Sequence, residues 1–185
     1  ICDPPYGLGI DGQKESVCKN PKHNRKKHEQ KDWDNEIPTS NYFQELRRVS
    51  VNQIIWGANY FVKHLLATKG WVVWYKGQQG LTMSDCELAY TSFDSPTRVV
   101  TINRAQLIQQ RTFHPTEKPI KLYKWLLQNY AKEGDTILDT HFGSLSIGIA
   151  CHDLKFDLTA IELDKDYYEM AKKRLINHQK QLTLF

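Results

Sequence analysis

The sequence predicts an α/β fold in a single domain over residues 1–185, with a mostly parallel, twisted sheet carrying helices on both faces. Three observations lead there. Short apolar runs alternate with segments of helical periodicity, the pattern of strand–helix–strand units. A chain of 185 residues suits one hydrophobic core. Its 40% hydrophobic and 25% charged residues match ordinary globular usage.

Taken in order, residues 7–38 are polar, contain Gly7, Gly9, Gly12, Pro21 and Pro38, and read as a long mobile loop. Pro38-Thr39-Ser40 opens a helix carrying Tyr42, Phe43, Leu46 and Val49 on one stripe. Gln53–Trp56 is a short buried strand closed by Gly57, Tyr60–Ala67 is helical, and Trp71–Tyr75 is a second apolar strand. Past Gly80 the pattern weakens until Arg98–Ile102, another strand, and Asn103–Phe113 is polar without clear periodicity. Pro119–Tyr130 is a helix with proline in its first turn. Thr136–Asp139 is a strand, Ser146–His152 a helix, Leu158–Glu162 a strand and Asp164–Gln179 a final amphipathic helix. In such sheets ligands sit at the carboxyl ends of the strands, where this reading puts Asp3, Asp139 and Glu162.

Composition and charge narrow the function. No apolar run reaches the 18 residues of a membrane span. Ile1-Cys2-Asp3-Pro4 resembles no signal peptide, and the four cysteines form no CxxC pair, so free thiols in the cytoplasm are expected. Only Ile1 and Cys2 precede the first motif, so most of its supporting strand is expected to be missing. Between Gln13 and Lys31, seven basic side chains face two acidic ones, an excess of five against four for the whole chain. Lys14, Lys19, Lys22, Arg25, Lys26 and Lys27 are assigned to a phosphate backbone, with a solvated loop as the alternative. Cys18, His23 and His28 provide three neighbouring metal-ligand types, one short of a structural zinc set, and no metal is assigned. Trp33 and Trp56 are read as core aromatics rather than stacking platforms.

Two stretches carry chemistry. Residues 136–162 form a strand, a turn His141-Phe142-Gly143-Ser144-Leu145-Ser146, a helix, and a second strand ending in Glu162. The turn allows close backbone approach at a helix N-terminus, and Glu162 suits the two hydroxyls of a ribose. A lone glycine turn is a weak signal. Asp3-Pro4-Pro5-Tyr6 is far more specific. An exocyclic amino nitrogen of a base is a poor nucleophile, because its lone pair is delocalised into the ring. The Asp3 carboxylate and the Pro4 carbonyl can accept its two hydrogens and hold it in line with a methyl donor. Pro4 and Pro5 fix the backbone, and Tyr6 offers a flat face to an extruded base.

These residues resemble the amino-methyltransferases of DNA, and among them the circularly permuted group called beta, over nearly the whole chain. Asp3-Pro4-Pro5-Tyr6 comes first, Trp56–Phe61 and Gly70–Trp74 look like the middle strands, and His114-Pro115-Thr116-Glu117-Lys118-Pro119 is similar to the HPTxKP signature. Asp139–Ser146 resembles the D-P-F-x-G-S-G-T loop and Ile161–Asp164 the ribose-binding segment. The resemblance implies a Rossmann-like S-adenosylmethionine-dependent fold and methyl transfer from S-adenosylmethionine to adenine N6 of DNA. It also implies a cofactor site of His114, Thr116, Lys118, Asp139, His141, Phe142, Gly143, Ser144, Ser146 and Glu162. No metal or membrane is implied, and a homodimer and a cognate restriction endonuclease are compatible partners. Thr140, His141 and Leu145 depart from the loop pattern, and a Cβ at Leu145 is expected to penalise positive φ and to crowd the cofactor. Residues 94–112 leave room only for a short target-recognition segment. Cytosine N4, RNA adenine and an inactive nucleic-acid-binding homologue stay open as alternatives.

Overall fold

A computed structural model describes residues 1–12, 31–80, 84–103 and 114–181. Strands β1 (Ile54–Trp56), β2 (Trp71–Tyr75), β3 (Cys86–Thr91) and β4 (Arg98–Thr101) form a sheet in the order β1-β3-β2-β4, and β5 (Thr136–Asp139) pairs in parallel with β6 (Asp157–Ala160). The chain start joins the two. The Ile1 ammonium donates to the Leu138 carbonyl at 2.9 Å, and Cys2 lies parallel to β1, donating to the Ile54 carbonyl and accepting from Trp56 N–H, both at 3.0 Å. β3 runs antiparallel to β1 and β2, whereas β2 and β4 are parallel.

β1 and β2 read as unbroken apolar runs because the sheet is packed on both faces there. Ile54 and Trp56 join Val72, Trp74 and Ala89 in a core with Leu122, Leu126 and Leu127 of helix α2 (Ile120–Tyr130) and Ile147 and Ala150 of α3 (Ser146–Leu154). Ile55, pointing the other way, packs with Phe43 and Leu46 of α1 (Ser40–Val49), Phe61 and Tyr90. Helix α4 (Lys165–Gln179) adds Ala171 to the first core and is capped by Asp164, which accepts from Tyr167 N–H at 2.9 Å.

Several sequence-based boundaries change. Pro119, extended at φ −63° and ψ 139°, precedes the helix rather than sitting in its first turn. The helix expected over Tyr60–Ala67 is two 3-10 turns, Ala58–Tyr60 and Val62–His64, in which Phe61 is buried, Leu65 packs beside it, and Val62 and Leu66 are about 60% exposed. β3 was not expected at all, and it makes the sheet mixed rather than nearly all parallel. β6 ends at Ala160, and Glu162 has left the ladder. The described ends of the loop expected to be mobile are tied down: Asp34, 1% exposed, accepts from the backbone N–H groups of Tyr6, Gly7, Leu8 and Ile10 at 2.7–3.3 Å. Among the described residues no helix is long and apolar enough to cross a membrane, and Cys2, Cys86 and Cys151 are free thiols.

Candidate active site

The sheet delivers Asp3 to the crevice because Cys2 is the last residue paired with β1, and Pro4 and Pro5 turn the chain away. Asp3 Oδ1 accepts from the Tyr6 hydroxyl at 2.6 Å, and Oδ2 accepts from the Lys118 ammonium. The Tyr6 ring stacks on Tyr60 at 5.1 Å with an interplanar angle of 18°. It lies directly over Gly57, where an added Cβ would meet the ring at 2.1 Å. Gly57 also has φ +66°, so this position admits only glycine without displacement. Tyr6 is thus turned inward, one face already covered by another ring.

Lys118 is the hub of a buried charge cluster. Its side chain is 3% exposed, it lies 3.2 Å from both the Tyr6 hydroxyl and Glu87 Oε2, and it sits 5.5–5.6 Å above the rings of Trp56 and Tyr6. Glu87 of β3 also pairs through Oε1 with Lys76 at 2.6 Å. Burial raises the Asp3 carboxyl above its usual value against the pull of Lys118. Burial acts the same way on Glu87, but the two lysines beside it win and bring it below the carboxylate range. Lys118 loses solvation yet is raised by Asp3 and Glu87, so it stays an ammonium.

The opposite wall comes from the loop after β5. Gly143 has φ +49°, and a Cβ there would lie 3.1 Å from His114 Nε2, so the turn and the 114–119 segment meet at a glycine. Glu162 clamps this wall: Oε2 accepts from Gly143 N–H and Oε1 from Asp164 N–H, each at 2.9 Å. Asp139 accepts from His141 N–H at 3.0 Å, and its burial raises it to about 7. Burial lowers His141 to about 4, leaving a neutral ring. Thr140 and His141 are matched by Tyr42 of α1, whose hydroxyl lies 2.7 Å from Thr140 Oγ1 and 3.4 Å from His141 Nδ1. Leu145 does adopt positive φ, at +57°, but its side chain turns away from the crevice and packs on Gly148, where a Cβ would fall 2.6 Å from Leu145 Cγ. Leu145 therefore does not line the cavity beside Gly143.

Two adjoining cavities result. One, of about 230 Å³, is lined by Asp3, Pro5, His114, Thr116, Lys118, His141, Phe142, Gly143, Ser144 and Glu162 among others. The other, of about 300 Å³, is lined by Asp3, Pro4, Pro5, Tyr6, Trp74, Lys76, Glu87 and Lys118 among others. Asp3, Pro5, Trp33, Thr116, Glu117 and Lys118 belong to both. Asp139 and Ser146 do not line the first cavity but stand behind its wall. Ser146 Oγ meets Ser144 Oγ at 3.1 Å and accepts from Arg174 at 3.2 Å, and Arg174 also pairs with Glu117 at 2.7 Å. Trp56 is a core residue, whereas Trp33 is half-buried at the seam of the two cavities, correcting its assignment to the core. Sequence reasoning missed Glu87, Lys76, Asp34 and Arg174. Lys14, Lys19, Lys22, Arg25, Lys26 and Lys27, with Cys18, His23 and His28, lie outside the described residues, as do positions 104–112 of the expected recognition segment. Positions 98–101 of that segment form β4. Among the described residues no cluster of potential metal ligands occurs.

The sequence profile of the DNA methylase family matches residues 55–173, well over half of the chain. The chain belongs to the DNA methylase family. Over 67 residues it is 39% identical to the Type II methyltransferase M.HpaI of Haemophilus parainfluenzae, covering 36% of this chain and 21% of that protein. Over 62 residues it is 39% identical to the Type II methyltransferase M2.DpnII of Streptococcus pneumoniae, covering 34% and 23%. The matched stretch thus spans about a fifth of the length of these relatives. Among solved structures, M1.HpyAVI in complex with SAM aligns with a TM-score of 0.59 at 20% identity, over 74% of this chain and 81% of that one. The cytosine-N4-specific PvuII DNA methyltransferase aligns at 0.56 and 11%, over 100% and 79%. At these identities the likeness is one of fold, and this chain has the Rossmann-like α/β fold of those structures.

Proposed function

We propose that this DNA methylase transfers a methyl group from S-adenosylmethionine to adenine N6 in DNA, as a member of the permuted beta group. The observation that carries the reading is the wall shared by the two cavities. A methyl donor held by the 141–144 turn, His114 and Glu162 and a base held beyond Pro4 and Tyr6 would meet at Asp3. The residues fit the cofactor. Gly143 leaves space that a Cβ would fill, and Glu162 retains free lone pairs for a ribose after accepting two backbone N–H groups. When bound, S-adenosylmethionine supplies an electrophilic methyl on a sulfonium.

The chain's own part is to orient and stabilise. Asp3 and the Pro4 carbonyl accept the two amino hydrogens, aiming the nitrogen lone pair at the methyl group and favouring charge that develops on nitrogen. Tyr6 fixes the Asp3 carboxylate through its hydroxyl and closes one side of the base cavity with its ring. The product proton leaves to water once the nitrogen is cationic, so no strong base is needed. Lys14, Lys19, Lys22, Arg25, Lys26 and Lys27 would follow the DNA backbone. The aspartate that opens the motif favours adenine, since the cytosine-N4 group more often opens with serine.

The test is transfer of tritiated methyl from S-adenosylmethionine to DNA and to RNA, followed by nucleoside analysis. Label in N6-methyl-2′-deoxyadenosine from DNA is expected. Label only in N4-methylcytosine or in RNA would overturn the substrate assignment. Calorimetry showing no binding at millimolar S-adenosylmethionine would overturn the enzyme.

A further inference from the structure

The base cavity contains more charge than methyl transfer to an amino group requires. Asp3 is enough to orient the nitrogen, yet Glu87, Lys118 and Lys76 all reach the same space from separate elements. Glu87 is the second residue of β3 and Lys76 follows the end of β2, while Lys118 lies just before α2. The pairing is uneven. Lys118 donates to Asp3 and to the Tyr6 hydroxyl, and it also pairs with Glu87 Oε2 at 3.2 Å. Glu87 Oε2 is buried and is met by the Lys118 ammonium at 3.2 Å, a longer contact than the one Lys76 makes with Oε1. Its other oxygen is held by Lys76 at 2.6 Å, so the carboxylate cannot swing away. A buried carboxylate oxygen with room for a closer approach thus stands beside an ammonium that it already shares with Asp3.

The chemistry of the site gives this acceptor a use. With the cavity empty, the ammonium balances Asp3. When an amino group takes up Asp3, an ammonium on the same carboxylate competes for its lone pairs. It also opposes the positive charge that moves onto the nitrogen during transfer. Moving Lys118 by a fraction of its side-chain reach from Asp3 towards Glu87 removes both obstacles without leaving a buried charge unpaired.

We propose that Glu87 is a positioning residue that receives the Lys118 ammonium when the target base occupies Asp3, and that Lys76 holds Glu87 in place for it. This rests on the reading above, in which Asp3 orients an amino nitrogen. It assigns a role to a β3 carboxylate outside the Asp3–Tyr6 and His114–Pro119 motifs. Asp3 is faced by Tyr6 from its own loop, Lys118 from the segment before α2, Glu87 from β3, Tyr123 from α2, Asp139 from β5 and Cys2 before it. Of these, Glu87 is a nearby negative charge that raises Asp3. Neutralising it should therefore lower the pH at which Asp3 ionises.

The experiment compares Glu87→Gln and Glu87→Asp with the wild-type chain, measuring S-adenosylmethionine affinity by calorimetry and kcat and KM for DNA across pH. For Glu87→Gln we expect cofactor affinity within about twofold and KM for DNA within about threefold. Its kcat should fall at least tenfold, about 1.4 kcal/mol, with the acid limb of the kcat profile displaced to lower pH. Glu87→Asp keeps the charge but withdraws it by one methylene, so kcat should fall less and the acid limb should stay. Wild-type kcat and an unmoved acid limb in Glu87→Gln overturn the proposal. If that variant fails to bind cofactor, wild-type kcat in Glu87→Asp overturns it instead. A wild-type chain that methylates no DNA overturns the proposed function, and this inference with it.

Discussion

The Tyr6 hydroxyl donates to Asp3 Oδ1 at 2.6 Å, so a residue expected to serve as a stacking surface also fixes the orientation of the carboxylate. Tyr6→Phe separates the two roles, since it keeps the ring over Gly57 and removes only the hydrogen bond. A bond to a charged group contributes about 1.5–3 kcal/mol. We expect kcat to fall roughly tenfold or more with S-adenosylmethionine affinity unchanged, measured by steady-state methyl transfer alongside calorimetry.

Gly57 makes the inward position of Tyr6 possible. Alanine there would place its Cβ 2.1 Å from the ring and force a residue with a side chain to φ +66°. Left-handed backbone alone costs about 1–2 kcal/mol, and the clash adds to it. Gly57→Ala should lower the stability of the fold by more than 2 kcal/mol in urea unfolding and should abolish transfer. Wild-type stability would show that the ring moves aside freely.

Leu145 takes the left-handed conformation that glycine adopts without strain. Glycine at this position would relieve about 1–2 kcal/mol of backbone strain. It would lose about 1.5–3 kcal/mol of side-chain burial and a further fraction in unfolded-state entropy. Burial wins, so Leu145→Gly should destabilise the protein by about 1 kcal/mol in chemical denaturation. Cofactor affinity should stay within a few-fold, because Leu145 packs on Gly148 rather than lining the cofactor cavity.

Burial raises Asp139 to about 7, above its ordinary 3.8. The folded state therefore holds this proton more tightly than the unfolded chain. The stabilisation is complete below about 4 and is lost as pH rises towards 7. Cofactor binding has the opposite sign, because the ionised carboxylate favours a cationic ligand behind the His141 N–H it accepts. S-adenosylmethionine affinity should strengthen several-fold between pH 6 and pH 8 by calorimetry, and Asp139→Asn should flatten the dependence.

The parts of the site legible in the sequence are those made by neighbours in the chain. The β5 turn with Gly143, Glu162 after β6, and Asp3–Tyr6 are contiguous or closely spaced, and local patterning identifies them. Glu87 was hidden for a physical reason: a half-buried acid near the start of β3 breaks the apolar pattern that marks a strand. It tolerates that place because Lys76 reaches it from the paired strand and Lys118 from a distant segment. Trp33 was assigned to the core because nothing local distinguishes a half-buried tryptophan at a cavity seam from a packed one. The failed helix over Tyr60–Ala67 shows the same limit, since its residues are mostly apolar yet Val62 and Leu66 stay about 60% exposed.

The most direct test is Asp3→Ala, assayed for tritiated methyl transfer to DNA and, in parallel, for S-adenosylmethionine binding by calorimetry. Loss of at least about 10²–10³-fold in kcat, with cofactor affinity nearly intact, is the predicted result. A variant that binds the cofactor and still methylates DNA at the wild-type rate would contradict the placement of Asp3 at the reaction centre.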